Sequence, residues 1–303
     1  MSGTAIAWPA KSREIHNHHI DSTVWNELVF RDDDIVVATY AKSGTTWTQQ
    51  IVGQLIFHGA EGALFDTSPW LDFRPFPLAQ VMEGLEKQQH RRFVKTHLPL
   101  DALVFSPQAK YLYVGRDGRD TLWSLYNHHA GFTDQAYAMI NNTPGRVGPP
   151  LQRPIGDIVQ YFHEWLKGGG LPLGSTFWEH VQGWWTARHL PNVLLVHFNN
   201  LKADLPGEMR RIARFLEIEI DEAQWPAMVD HCAFDYMRKT ASEHSPILDM
   251  VFQGGGNTFF NKGTNGRWRD VLTAADLQKY DQVVRDNLTP ECARWMATGE
   301  LAS

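Results

Sequence analysis

Four short apolar runs punctuate the chain: Ile35–Tyr40 (IVVATY), Arg92–Thr96 (RFVKT), Lys110–Gly115 (KYLYVG) and Val193–His197 (VLLVH). Their length and density of apolar side chains fit strands buried on both faces of a parallel sheet. Between and after them, apolar residues recur at helical spacing over Thr45–Phe57, Thr121–His129, Ile155–Trp165, Phe177–Arg188, Ala203–Leu216, Glu222–Val229 and Ala274–Asn287. Strands that alternate with helices predict an α/β fold: one domain over residues 1–303, a central parallel sheet and helices on both faces. Two stretches break the pattern. Residues 143–154 (TPGRVGPPLQRP) cannot form a helix or a central strand. Residues 253–266 (QGGGNTFFNKGTNG) hold five glycines in fourteen positions and surround Lys262, which suits a ligand lid. Mobile loops are therefore expected over 131–154 and 251–268.

Composition changes this picture little. A chain of 303 residues can bury a large core, and twelve tryptophans suit either that core or a pocket for a flat apolar ligand. The net charge of −6 argues against a general nucleic-acid binder, although it leaves room for a local basic pocket. Cys232 and Cys292 are too few for a disulfide framework and lack metal-type spacing, which points to a reducing cytoplasm. The first residues lack the apolar core of a signal peptide, and no apolar run approaches about 18 residues, so no membrane span is expected. Residues 1–24 read as a loosely ordered segment. The cluster His16, His18 and His19 within it reads as solvated, and no metal is expected.

The chemistry begins at Tyr40–Trp47, YAKSGTTW, directly after the first strand. A Walker A loop places its lysine after the last glycine, but here Lys42 precedes Gly44. The segment nevertheless suits an anion. Gly44 permits close backbone approach, and Thr45 and Thr46 open a helix whose free N–H groups and dipole favour negative charge. Lys42 adds a full positive charge, although a strand-to-helix turn of this composition can also be purely structural.

Further segments decide between these readings. ATYAKSGTTWTQQIV, with Lys42, Ser43, Gly44, Thr45, Thr46 and Trp47, resembles the 5′-phosphosulfate loop of the cytosolic-type sulfotransferases. These enzymes transfer sulfonate from 3′-phosphoadenosine-5′-phosphosulfate (PAPS), and the family usually has proline where Ala41 stands. RFVKTHLPLDAL resembles the family's catalytic segment, which implies that His97 is the general base and Lys95 a catalytic cation. YLYVGRDGRDTLWSLYNH places Arg116 and Ser124 with the spacing of the family's 3′-phosphate ligands. GSTFWEHVQGWW, residues 174–185, matches a helix with structural work. FFNKGTNGRWR resembles the C-terminal R-K-G-x-x-G-D-W-K signature and retains Lys262, Gly263, Gly266 and Trp268. Asn261 replaces its arginine, Arg267 its aspartate and Arg269 its lysine. The matches run in family order from about Asp32 to Arg269.

The resemblance implies PAPS as donor and a small-molecule acceptor, with no metal, nucleic acid or membrane partner. Lys42, Lys95, His97 and Ser124 become the catalytic set. The nucleotide would meet Lys42 to Trp47, Arg116, Ser124, Phe198, Cys232, Phe234, Asn261, Lys262 and Gly263. Phe198 stands where the family has a hydrogen-bonding tyrosine, and Cys232 where it has a threonine. Asparagine at 261 cannot reproduce a bidentate phosphate clamp; Lys262, the Gly263 N–H and Arg116 remain, so binding is expected to be weakened rather than abolished, with compensation by Arg267 or Arg269 as a hypothesis. SPWLDFRPFP, residues 68–77, matches the segment that lends an aromatic to the acceptor pocket. Trp70 is thus expected beside the acceptor together with His97, Phe132 and Phe252, and a phenol or other hydrophobic hydroxyl compound is the expected class. Two other readings stay open: a protein that binds PAPS or its product without catalysis, and, less compatible with the absence of G-K-[ST], an ATP-dependent kinase. The family's dimer signature would fall at RDVLTAADLQ, where only Thr273 matches fully, Arg269 is a conservative swap and Gln278 replaces an acid. A monomer or a different homodimer is expected.

Overall fold

The computed structural model describes residues 6–62, 64–145, 147–168 and 174–301. Its elements in chain order are β1 Ile35–Thr39, α1 Thr45–Ile56, α2 Leu78–Lys87, β2 Phe93–Thr96, β3 Lys110–Gly115, α3 Gly118–Ala130, α4 Asp134–Asn141, α5 Ile158–Leu166 and α6 Phe177–Thr186. They continue with β4 Val193–His197, α7 Phe198–Ala203, α8 Leu205–Leu216, α9 Trp225–His231, α10 Phe234–His244, α11 Ile247–Val251, α12 Gly256–Phe259, α13 Ala274–Asn287 and α14 Pro290–Thr298. The four strands form one parallel sheet in the order β2-β1-β3-β4.

The period of two along β1 sends its side chains to two different cores. Ile35 and Val37 join Phe93, Leu112, Val114 and Val196 beneath α1, α8 and α9. Val36 and Ala38 join Tyr111, Tyr113 and Trp184 in the larger core on the other face. All strands point the same way, so the four carboxyl ends open at one edge, the place where open α/β sheets bind ligands. At one of these ends the backbone runs close against a ring. A Cβ on Gly115 would lie 2.3 Å from Trp295 of α14, so only glycine lets β3 and α14 pack at this distance.

Polar caps set several helix starts. Asp117 accepts from the Arg119 N–H, so α3 begins at Gly118, ahead of the apolar periodicity that marks it from Thr121. Thr176 with Glu179 and Thr273 with Asp276 form capping boxes on α6 and α13. The expected loop 131–154 contains α4, capped by Thr133, and the glycine-rich stretch contains the single turn α12. An antiparallel bridge, Phe132 to Phe252, ties these two stretches together, with Thr133 N–H donating to the Val251 carbonyl at 3.0 Å. The N-terminal segment also departs from expectation. Ile15, His18, His19, Ile20 and Val24 are buried, so two histidines of the cluster are packed rather than solvated, while His16 stays exposed beside Asp21. Apolar Ile15 and Ile20 draw the strand of chain inward, and His19 packs on Trp70 and Phe73. Among the described residues no helix is long and apolar enough to cross a membrane.

Candidate functional site

A cavity of about 360 Å³ opens at the carboxyl ends of the strands and is lined by residues that follow each of them. Lys42 and Thr45 follow β1, His97 follows β2, Arg116 follows β3 and Phe198 follows β4. Of the residues expected at a site, all but Ser43 and Cys232 line it. The Ser43 N–H closes a turn onto the Tyr40 carbonyl at 3.2 Å, and the residue lies beneath the loop. Cys232 is wholly buried in the core under α1, and it is its carbonyl that matters, accepting from Trp47 Nε1 at 2.8 Å. Cys232 therefore fixes the Trp47 ring from behind instead of offering a thiol to a ligand.

The first half of the cavity is cationic. Gly44 has φ 122°, and a Cβ there would press on Phe198 at 3.1 Å, so glycine lets the loop lie against that ring. The first intrahelical bond of α1 runs from Thr48 N–H to the Gly44 carbonyl at 3.0 Å. The N–H groups of Thr45, Thr46 and Trp47 precede it and face the cavity mouth as an anion nest. Around them stand Lys42, Lys95, Arg116, Lys202, Lys262 and Arg267, and among the described residues none of the six forms a salt bridge. Neutral oxygens and rings hold most of them instead. Arg116 donates from Nε and Nη2 to Asn265 Oδ1 at 3.2 and 2.7 Å and stacks 4.1 Å from the Phe198 centroid. Asn265 is itself steadied by Asn199 at 2.6 Å, and Gly266 N–H donates to Asp120 at 2.7 Å. Lys202 donates to the Gly263 carbonyl at 2.6 Å, and Arg267 to Asn261 Oδ1 at 3.2 Å.

These cations strain one another. Burial, Arg116 and Lys95 together push Lys42 down to about 7. Burial pulls Lys95 down to about 8 against the opposing pull of Asp66 and Asp72, and burial with Arg267 lowers Arg116 to about 10. A cavity that concentrates unpaired cations is suited to a polyanionic ligand.

The second half is aromatic. Trp70 stacks on Phe73 at 4.3 Å and meets the His97 ring edge-on at 4.7 Å. Phe132 and Phe252 lie 5.3 Å apart, and Phe259 packs against Phe252 at the same separation. The buried carboxylate of Asp72 accepts from Trp25 Nε1, Trp70 Nε1 and the Thr96 hydroxyl, which fixes the Trp70 ring beside the end of β2. Burial raises Asp72 to about 6.

His97 stands where the two halves meet. Its Nδ1 is 2.8 Å from the Thr39 carbonyl, an oxygen that can only accept. Nδ1 therefore carries the proton, and Nε2 is left with a free lone pair. The His97 carbonyl accepts from His180 Nε2 at 3.2 Å, which anchors the backbone from the core side. Burial first, then Lys95, holds His97 well below 6.5, so the ring is neutral at ordinary pH.

Sequence reasoning missed Asn265, His128, Asp72, His19 and Lys202. Only His128 carried a legible signal: it lies four residues after Ser124 on a predicted helix and so shares its face.

Strand ends that converge on a glycine-containing anion nest, ringed by unpaired cations and opening on an aromatic pocket, define an α/β enzyme of group transfer from a nucleotide anion. Comparison with known proteins makes this specific. Residues 32–296 match the sulfotransferase domain. A glycolipid sulfotransferase of Mycobacterium bovis (strain BCG / Pasteur 1173P2) is 33% identical over 301 residues, covering 92% of each chain. Sulfotransferase 1E1 of Homo sapiens is 29% identical over 261 residues, covering 83% of this chain and 82% of that one. Among solved structures, mouse sulfotransferase SULT7A1 complexed with PAP superposes with a TM-score of 0.70 at 20% identity, covering 91% of this chain and 92% of that one. Retinol dehydratase in complex with androsterone and the inactive cofactor PAP gives 0.68 at 23% identity, covering 88% and 84%. The chain belongs to the sulfotransferase family.

Proposed function

We propose that this protein transfers a sulfonate group from PAPS to the hydroxyl of a hydrophobic small molecule in the cytoplasm. The products are the sulfate ester and 3′,5′-bisphosphoadenosine (PAP). The observation that carries this reading is the position of His97, with its unprotonated Nε2 at the seam between a cationic and an aromatic half-cavity. His97 takes the proton of the attacking hydroxyl. Lys42 and the first-turn N–H groups of α1 face the negative charge that develops on the bridging oxygen of the leaving phosphate. Lys95, on the strand next to β1, faces the transferring group, while Arg116, Ser124, Lys262 and Gly263 hold the distant phosphate. Trp47, Phe198 and Phe234 sandwich the base. Positioning and electrostatics do the work, as in phosphoryl transfer.

The acceptor is a phenol or other apolar alcohol, because Trp70, Phe73, Phe132 and Phe252 form the wall next to His97. Both cysteines are free and buried, in keeping with a reducing compartment. An acceptor screen with labelled PAPS tests the reading. Phenols, apolar alcohols and glycolipids are each expected to be scored by PAP release, with at least one hydroxyl compound turning over. PAP binding with no transfer across the panel would favour a non-catalytic binder, and magnesium-dependent ATP turnover would favour a kinase.

Arg267 takes over the phosphate clamp that Asn261 cannot supply. It lines the cavity and touches Asn261, whereas Arg269 does not line it and lies 5.2 Å from the Trp268 centroid. Arg267→Ala is therefore expected to weaken PAP binding about tenfold by calorimetry, in line with the loss of one charge-assisted hydrogen bond. Arg269→Ala is expected to leave it within about twofold, since an exposed cation outside the cavity adds little.

A further inference from the structure

We infer that His128 is a positioning residue for Lys42, holding its ammonium at the seam between the cationic and aromatic halves of the cavity; this rests on Lys42 serving the reaction proposed above. Lys42 Nζ lies 3.1 Å from His128 Nδ1 and 4.8 Å from the centroid of Phe259. An ammonium can only donate, so His128 Nδ1 is the acceptor and its ring proton sits on Nε2. The Phe259 face satisfies a second direction of the ammonium through its π-cloud. One N–H direction remains for a ligand anion.

The His128 ring is itself fixed. Phe132 and Phe252 pack on it at 4.9 and 5.0 Å, so the aromatic wall of the acceptor pocket sets where the imidazole can be. Ser124 and His128 are four residues apart on α3 and both line the cavity, which puts an expected phosphate ligand and the holder of Lys42 on one helix face. A lysine side chain has four rotatable bonds and would otherwise sample many rotamers at the centre of the cavity. The Lys42 backbone, at φ 70°, turns the stem inward but leaves the ammonium free to choose among neighbours.

The neighbours of His128 favour this arrangement, and those of Lys42 oppose its charge. Burial first, then Lys42, His129, Lys95 and His97 around it, keeps His128 neutral and able to accept. Lys42 faces Arg116 and Lys95, both repulsive, so the His128 nitrogen is the polar contact that favours its charged form.

The test is PAP affinity, measured by calorimetry below and above the Lys42 midpoint of about 7, in the full-length protein. His128→Phe keeps a ring and removes the acceptor. It is expected to weaken PAP binding about tenfold, the loss of a hydrogen bond to a charged group, and to move the alkaline loss of binding to lower pH. His128→Asn places an amide oxygen where Nδ1 stands and is expected to recover most of both effects. In a Lys42→Met background His128→Phe is expected to change nothing further. Wild-type affinity in His128→Phe, equal losses in the Phe and Asn variants, or a loss that persists without Lys42 would each overturn the assignment. The reaction reading fails separately, if the wild-type protein binds PAP and transfers sulfonate to nothing.

Discussion

Exchange of His97 for alanine is expected to slow sulfonate transfer about 10³-fold, the middle of the range for loss of a general base. PAP affinity is expected to stay within about threefold, because no phosphate ligand is removed. The geometry of the ring sets its role. The Thr39 carbonyl takes the Nδ1 proton, so the lone pair on Nε2 is presented at the end of β2, and Trp70 packed edge-on limits rotation of the ring. The protonation state then sets the pH dependence. A base acts only when unprotonated, and burial with Lys95 holds His97 well below 6.5. The rate is therefore expected to be limited by His97 only as pH falls below 6.5 towards its lowered midpoint, and this acid limb is expected to vanish in the alanine variant. A weakened base also bears on the acceptor. It removes the proton of a phenol, with a pKa of about 10, more readily than that of an alkanol, which supports phenols within the proposed class. Single-turnover PAP release and calorimetry on the same variant check both halves. Full turnover without the imidazole would remove His97 from its role.

The sheet and the strand-end residues were legible for a common physical reason. A strand buried on both faces must be apolar, so each strand stands out, and Lys110–Gly115 and Val193–His197 match the structure residue for residue. Lys42, His97, Arg116 and Phe198 are close in sequence to those runs, so finding the strands placed them at one edge. Helices announced by caps rather than periodicity were harder. In α14 the signal is confined to Thr289 and Pro290, a cap followed by proline at the first helical position. Among the partners of the cations that sequence reasoning missed, only His128 carried a local signal, its helical spacing from Ser124. Asn265 reaches Arg116 across 149 positions, and His19 reaches Trp70 only because Ile15 and Ile20 anchor the segment that carries it. Such contacts depend on how loops close over the sheet, and no local pattern encodes that. Cys232 shows the opposite error: its side chain faces the core and does not line the cavity, and its backbone carbonyl acts from behind by holding Trp47.

Exchange of Lys42 for alanine is expected to damage binding and rate together, with donor affinity lower by about tenfold and transfer slower by about 10²-fold. Alanine inherits the same φ of 70°, so the backbone penalty is common to both residues and the change isolates the ammonium. The pH dependence separates this cation from its neighbours. Burial, Arg116 and Lys95 bring Lys42 down to about 7, far below Arg116 at about 10. An ammonium attracts the donor only while protonated, so kcat/KM for PAPS, which reports the free enzyme, is expected to fall as pH rises through about 7. Bound phosphosulfate restores an opposite charge and raises the group again, so kcat itself is expected to hold to higher pH. Lys42→Ala is expected to lose the alkaline limb of kcat/KM, and Lys42→Arg, which stays charged, to lose that limb while keeping part of the affinity. A limb that persists unchanged in both variants would assign the titration to Lys95, lowered to about 8, and would take the leaving-group charge away from the loop that follows β1.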